Sequence, residues 1–336
     1  MTDRQLRIGL IGTGRIGQVH AANIAASGDT TLAWVADPFI AGAQHVAANH
    51  GGTATDSAEE IFASGDVDAV LIASPTPTHV DLIRSAVAAG IPVLCEKPID
   101  LDLARVDALR PLVAEAGVLV ALGFNRRLDP AFAEVRSRVA AGEIGALEQL
   151  TITSRDSAAP SADYLSVSGG IFRDMTIHDF DMARFFVPDL VDVMSTGSTL
   201  FDDGARAHGD FDSAVSVLSA ASGVQVTIVN SRHSATGYDQ RLEAFGSAGS
   251  LQVANAGTSL VSLSNAAGVE TRSPYQDFFL ERYATSYRRE LAEFVAAVRG
   301  ASSNLSTFED GRAALLLADA AHRSANERTT IAVDLS

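Results

Sequence analysis

Residues 7–20, RIGLIGTGRIGQVH, set Gly12, Gly14 and Gly17 in the order G-x-G-x-x-G, between an apolar strand-like run and a helical pattern. No other segment restricts the fold as much. After a strand and at the start of a helix, Gly12 permits a tight turn, Gly14 lets backbone approach a pyrophosphate, and Gly17 lets helix and strand pack closely. The N–H groups of Arg15 and Ile16 would then face phosphate oxygens at the positive end of the helix dipole. Asp37 stands at the end of the next strand-like run, TLAWVAD (31–37), where an acid receives the adenosine ribose hydroxyls. A carboxylate there repels a 2′-phosphate, so NAD is favoured over NADP. Arg15 would weaken that preference, but Pro38 follows the acid and no Ser or Arg stands there to receive a phosphate. A plain turn with a surface Asp37 is the bland alternative; strand, spacing and acid together outweigh it.

The first third of the chain alternates. Strands are expected at 7–12, 31–37, 68–74, 91–98 and 118–124, with helices between them. Continuous apolar strands alternating with helices predict a doubly wound parallel sheet covered on both faces. The texture changes after GFNRRLDP (123–130). A helix at 131–141 leads into period-two strands at 147–155, 214–220, 224–232 and 240–246, with a hairpin between the second and third. Late helices at 283–299 and 308–325 and a strand TTIAVD close the chain. The predicted fold is α/β: a dinucleotide-binding domain over 1–125 and, over 126–336, an α/β domain with a large open, mostly antiparallel sheet.

With a formal charge of −16, the chain is a poor partner for nucleic acid or an anionic membrane, since both are polyanions. One cysteine, Cys95, excludes an intrachain disulfide and Cys-rich zinc sites, which fits a reducing cytoplasm. No signal peptide is apparent at the start, and no apolar run approaches the roughly 20 residues of a membrane span. No His/Asp/Glu grouping has zinc-site spacing, so no required metal is expected. His20, His45 and His233 have no recognisable partners and are read as structural. Cys95 is read as strand packing.

The segment GGIFRDMTIHDFDMARFF (169–186) sets Asp174 and His178 four apart, on one helical face. Such a pair is commonly an exposed ion pair. Here GGIF and MARFF flank it, so the helix is apolar enough to be buried on its other side, and Gly169–Gly170 would admit close approach of backbone to a ligand. Oxidising a secondary alcohol removes a proton from oxygen and a hydride from carbon. Histidine, with an unperturbed pKa of about 6.5, suits the proton. His178 is the candidate base, Asp174 can share substrate hydroxyls, and Lys97, at the end of an apolar strand, can stabilise an alkoxide. Asp179 is read as structural or exposed, and Asp181 as either site-lining or structural.

GLIGTGRIG, ASPTPTH (73–79), CEKP (95–98), GFNRR (123–127) and GGIFRDMTIHDFD (169–181) together resemble the Gfo/Idh/MocA oxidoreductase family, and within it the inositol 2-dehydrogenases. The resemblance implies a Rossmann domain with NAD at the carboxyl ends of its strands and substrate in an interdomain cleft. It implies cofactor contacts from Ser74, Thr76, His79 and Glu96, for which N-capping by Thr76 or Thr78 is the competing reading near His79. It matches Lys97 to the Lys of the EKP signature, with a cis peptide before Pro98, and Asp174 and His178 to the catalytic Asp and His. Tyr238, Tyr283, Arg127 and Asp156 are carried over as substrate-binding positions. Ser154 and Asp156 depart from the His and Asn that some inositol dehydrogenases carry there, which leaves the stereochemical preference open. The implied activity is oxidation of myo-inositol to 2-keto-myo-inositol by a cytoplasmic homotetramer. Another inositol isomer, a pyranose sugar, an NAD-dependent glycoside hydrolase or a non-catalytic NAD sensor are the competing readings.

Overall fold

The computed structural model describes residues 4–336. Its contacts define two compact units, Met1–Leu128 with Ser286–Arg312, and Asp129–Thr285 with Ala313–Ser336. This differs from a single division after residue 125, because 286–312 return to the first unit. The reason is packing. Leu291, Phe294 and Val295 of the helix Ala284–Val298 lie in the same buried cluster as Ile8, Leu10, Leu71 and Leu94. An apolar helical stripe shows in the sequence, but the core it joins does not.

The first unit holds β1 (Leu6–Ile11), β2 (Thr30–Ala36), β3 (Thr53–Thr55), β4 (Ala69–Ile72), β5 (Val93–Cys95) and β6 (Val120–Leu122). With β15 (Ser306–Thr307) on its edge, the sheet order is β15-β6-β5-β4-β1-β2-β3. β1 to β6 pair in parallel and β15 pairs antiparallel with β6. All five expected strands are present. The short β3 and β15 carry too few residues to register as a pattern.

The second unit holds β7 (Leu147–Arg155), β8 (Leu190–Ser198), β9 (Ser213–Ala220), β10 (Gln225–Ser231), β11 (Asp239–Gly246) and β12 (Gly249–Val253). With β16 (Ile331–Ala332) their order is β12-β11-β7-β10-β9-β8-β16. The β9–β10 hairpin forms as expected. Within this sheet β10 pairs in parallel with β7 and the other pairs are antiparallel. β8 was not expected, because Pro188 and Asp189 precede it, Gly197 interrupts it, and such residues mark turns. β13 (Ser262–Asn265) and β14 (Gly268–Arg272) form a separate two-stranded ribbon.

Register separates the two faces of this second sheet. Val193, Leu218, Val226, Leu150 and Ala244 are buried on one face. On the other, Met194, Val217, Thr227, Thr151 and Glu243 form one cross-strand row, flanked by Val215 and Val229. Met194 and Val217 there are 55% and 43% exposed, so apolar surface faces outward. No helix among the described residues is long and apolar enough to cross a membrane.

Candidate active site

In the first unit, parallel pairing puts the carboxyl ends of β1, β2, β4 and β5 on one sheet edge, the usual ligand edge of an open α/β sheet. Gly12 leaves β1 at φ +100°, where an L side chain is strained. A Cβ on it would lie 2.5 Å from the Ser74 backbone nitrogen. A Cβ on Gly17 would collide with the carbonyl oxygen of Gly12. Both glycines are thus required by the turn itself. Gly14 differs: a Cβ there would meet nothing within 4 Å. It is the N-cap of the helix Arg15–Ala26, and no side chain caps that start. Open space above an uncapped helix start, with Arg15 and Ile16 as its first residues, fits a pyrophosphate.

Asp37 follows β2 and is half-buried. Its Oδ2 accepts from Thr13 N at 2.9 Å and Thr13 Oγ1 at 2.6 Å, and its Oδ1 accepts from Phe39 N at 2.9 Å. Burial alone would raise its pKa; the hydrogen bonds from Thr13 and Phe39 outweigh this and hold the carboxyl below its ordinary value. Asp37 is therefore an anion throughout the neutral range.

Ser74 follows β4 and its Oγ lies 2.6 Å from Thr78 Oγ1, which donates to Pro75 O. Neither Thr76 nor Thr78 caps a helix with its side chain. His79 is buried, with Nδ1 2.8 Å from Pro98 O and Nε2 2.8 Å from Ser74 O. It ties the loop after β4 to the loop after β5. Glu96, Lys97 and a cis Lys97–Pro98 bond follow β5. Glu96 Oε1 lies 2.8 Å from His20 Nε2, so His20, read from sequence as lacking a partner, has one 76 residues away. Cys95 is fully buried, and burial pushes its thiol well above the usual value, which suits packing. Arg127 is buried and donates to Asp310 at 3.2 Å.

In the second unit, Asp174 lies in a π-helical segment, Phe172–Thr176, and His178 in the α-helix Ile177–Phe186 that continues it. The sequence spacing predicted an uninterrupted α-helix; the wider turn is of the kind that recurs at functional sites. Asp174 Oδ1 accepts from the Tyr164 hydroxyl at 2.7 Å and Oδ2 from Arg232 Nη1 at 3.2 Å. Arg232 is fully buried, and its Nη2 donates to Asp210 at 3.2 Å. Asp210 in turn accepts from Ile171 N at 2.9 Å, at the start of the same helical segment. Gly169 and Gly170, expected to admit a ligand, have φ values of +79° and +85°, and a Cβ on Gly170 would lie 2.9 Å from Asp210 Oδ1. Gly170 makes room for Asp210.

Asp179 is buried and structural. It accepts from Ser154 Oγ at 2.6 Å and from Asn230 Nδ2 at 2.7 Å, while Thr176 donates to Asn230 at 2.8 Å. These bonds pin the helix to β7 and β10. Asp181 is buried as well. Asp156 is half-buried after β7, its N bonded to Ser231 O, so it shares a strand end with Arg232. Tyr238 and Tyr283 are buried edge-to-face at 6.0 Å, and the Tyr283 hydroxyl donates to Gln240 at 3.3 Å. The sequence reading missed Tyr164, Asp210 and Arg232. Arg232 closes a strand-like run, and its acid partners are 58 and 22 residues away, so no local pattern marks it.

A dinucleotide-binding sheet edge, with a separate helix presenting a held Asp and a His, defines a nicotinamide-dependent oxidoreductase. The model of the oxidoreductase family with an NAD-binding Rossmann fold matches residues 6–124, and the GFO/IDH/MocA C-terminal domain matches 132–252. The chain is 45% identical to an inositol 2-dehydrogenase of Rhizobium meliloti, over 98% of this chain and 99% of the relative. The crystal structure of a myo-inositol dehydrogenase from Corynebacterium glutamicum is 51% identical, with a TM-score of 0.95 over 98% of this chain and 99% of that one. A scyllo-inositol dehydrogenase from Lactobacillus casei, with bound NAD(H) and scyllo-inositol, is 27% identical, with a TM-score of 0.90 over 98% and 99% of the two chains. The chain belongs to the Gfo/Idh/MocA oxidoreductase family.

Two outcomes follow from this geometry. Arg232→Met leaves Asp174 and Asp210 without their shared cation. Denaturant unfolding should show a loss of about 3–5 kcal/mol, as for other broken buried ion pairs, and an unchanged midpoint would refute the bridge. Asp37 has a depressed folded pKa, so its contribution is full above the unfolded value of about 3.9 and is lost as pH falls through the folded one. The gap in Tm between parent and Asp37→Asn should therefore narrow as pH is lowered from about 6 to about 3.

Proposed function

We propose that this protein is an inositol 2-dehydrogenase that oxidises myo-inositol to 2-keto-myo-inositol, using NAD in preference to NADP. The observation that carries the reading is Asp174 held by Arg232 and Tyr164 one turn before His178, in a chain with an NAD-binding Rossmann fold. The identity to inositol 2-dehydrogenases over nearly the whole chain supports the substrate class.

Bound NAD supplies the hydride acceptor. Gly12, Gly14, Arg15, Ile16 and Gly17 receive its pyrophosphate and Asp37 its adenosine ribose. Ser74, Thr76, His79, Glu96 and Lys97 order the strand-end loops beside it. His178 accepts the proton of the reacting hydroxyl, and the Lys97 ammonium stabilises the developing alkoxide. Asp174 accepts from a substrate hydroxyl, and Arg232 and Tyr164 keep it oriented. Asp156, Arg127, Tyr238 and Tyr283 are the further substrate-side positions. Inositol carries no charge, so recognition has to come from hydrogen bonds, which carboxylates and imidazole provide in quantity. Another inositol isomer remains the second reading, because the Lactobacillus casei relative is named for scyllo-inositol.

The exposed row around Met194 and Val217 favours assembly with further copies, as do Leu260, Val261, Leu263 and Val269 on and beside the β13–β14 ribbon. We read the protein as a homotetramer. The single buried thiol suits a reducing cytoplasm.

A panel of inositol isomers and pyranose sugars with NAD or NADP, read by reduced-cofactor absorbance, tests the assignment. The myo isomer with NAD should give the highest kcat/KM, and Asp37→Ser should narrow the cofactor gap. His178→Ala should lower kcat by about 10²–10⁴, the usual value of a positioned base, with NAD affinity nearly unchanged. The parent rate should fall as pH is lowered and the base is protonated. A loss of less than about threefold would assign proton removal to another group. Sedimentation at micromolar concentration should show four chains, and Met194→Glu with Val217→Asp should shift it to smaller species; a parent monomer would contradict the assembly.

A further inference from the structure

The helix Ala284–Val298 buries Tyr287, Leu291, Phe294 and Val295 along one stripe, and Glu290 lies in that stripe, fully buried. The helical pattern calls for an apolar side chain at that position. Both carboxyl oxygens of Glu290 are buried without a hydrogen-bond partner. His20 and Glu96 are its neighbours: one donor atom from each of the three residues lies within 4.8 Å of the others. His20 is 1% exposed, its ring packs edge-on against Tyr287, and its Nε2 lies 2.8 Å from Glu96 Oε1. On its other side Glu96 is wedged against backbone, since a Cβ on Gly123 would lie 2.9 Å from Glu96 Oε2.

Two carboxylates this close in a dry site do not both ionise. Glu96 has the imidazole N–H to balance its charge and is partly open to solvent. Glu290 is fully buried, and its oxygens meet no donor. It is the member of the pair that keeps its proton. Burial, and then the Glu96 charge, push its carboxyl well above the ordinary range. A divalent cation is the alternative way to neutralise the three groups. The His20–Glu96 hydrogen bond already engages Nε2 and Oε1, so one proton on Glu290 is enough to balance the charge that remains.

We propose that Glu290 is carried as a neutral carboxylic acid, and that His20 and Glu290 form a buried positioning pair for Glu96 and so for the loop that carries Lys97. The effect on rate rests on the role proposed above for Lys97; the protonation state does not. Neutral acid and amide have similar size and both offer a donor, whereas an ionised or metal-binding Glu290 could not be replaced by an amide.

Infrared difference spectroscopy of parent against Glu290→Gln should show a protonated carboxyl C=O band that the variant lacks. Glu290→Gln should keep kcat within about threefold of the parent. Glu290→Leu fits the apolar stripe but loses the donor, so kcat should fall by about tenfold or more, as for a slightly misplaced catalytic group, with NAD dissociation constant within about threefold. Absence of the acid band, a stoichiometric divalent ion in the purified protein, or equal damage from Gln and Leu would overturn the proposal. So would an unchanged kcat in Glu290→Leu while Lys97→Ala lowers it. If Lys97→Ala itself leaves kcat intact, the role of Lys97 falls, and the acid band still decides the state of Glu290.

Discussion

The Arg232 guanidinium, fully buried between Asp174 and Asp210, is the interaction on which the helical segment Phe172–Thr176 and its continuation Ile177–Phe186 depend. Burying a guanidinium forfeits its hydration, and only paired acids with further hydrogen bonds offset that loss. Both acids meet this condition. Asp210 also holds the backbone N–H of Ile171, and Asp174 also takes the Tyr164 hydroxyl. The ion bridge thus fixes the start of the helical segment and the Asp174 carboxylate together. Beyond it, Asp179 is satisfied by Ser154 and Asn230 and ties the next turn to the sheet. A helix held from beneath by buried polar contacts presents its outer residues in one orientation.

The nucleotide edge is built differently. It uses the absence of side chains. Gly12 and Gly17 are excluded volume in the turn itself, and Gly14 leaves space above an uncapped helix start. Asp37 needs no ion pair, because backbone and hydroxyl donors hold it as an anion. One region is therefore built on backbone and the other on side chains. This division explains their unequal legibility. A backbone device requires particular glycines at particular spacings, and spacing is visible in a chain. A side-chain network requires partners that the fold brings together, and a chain does not show them.

Particular residues bear this out. The five strands of the parallel sheet were legible because each is an apolar run bounded by turn signals. β8 was hidden by Pro188 and Gly197, and the return of Ser286–Arg312 to the first unit by the lack of any mark saying which core a helical stripe will join. That Asp174 and His178 share one helical segment was legible from spacing and flanks, but its π-helical start was not, since the extra residue per turn leaves no periodic trace. His20 looked solitary because its partner is Glu96, far along the chain. Gly170 packs against Asp210, 40 residues on, and no local pattern announces that neighbour. In each case the local requirement was readable, and the identity of the neighbour depended on long-range topology.

The same distinction bears on substrate preference. Ser154 and Asp156, the two positions at which the resemblance leaves the stereochemical preference open, are not equivalent. The Ser154 hydroxyl is buried and donates to Asp179, so a change there alters the support of the helix. Asp156 stands half-buried at the end of β7, beside the strand end that carries Arg232. A carboxylate at that place adds two acceptors where an asparagine would offer one acceptor oxygen and two donor hydrogens. Axial and equatorial hydroxyls differ only in where they aim their hydrogens and lone pairs. Ser154 therefore belongs to the support of the helix, whereas Asp156 is left half-buried at a strand end.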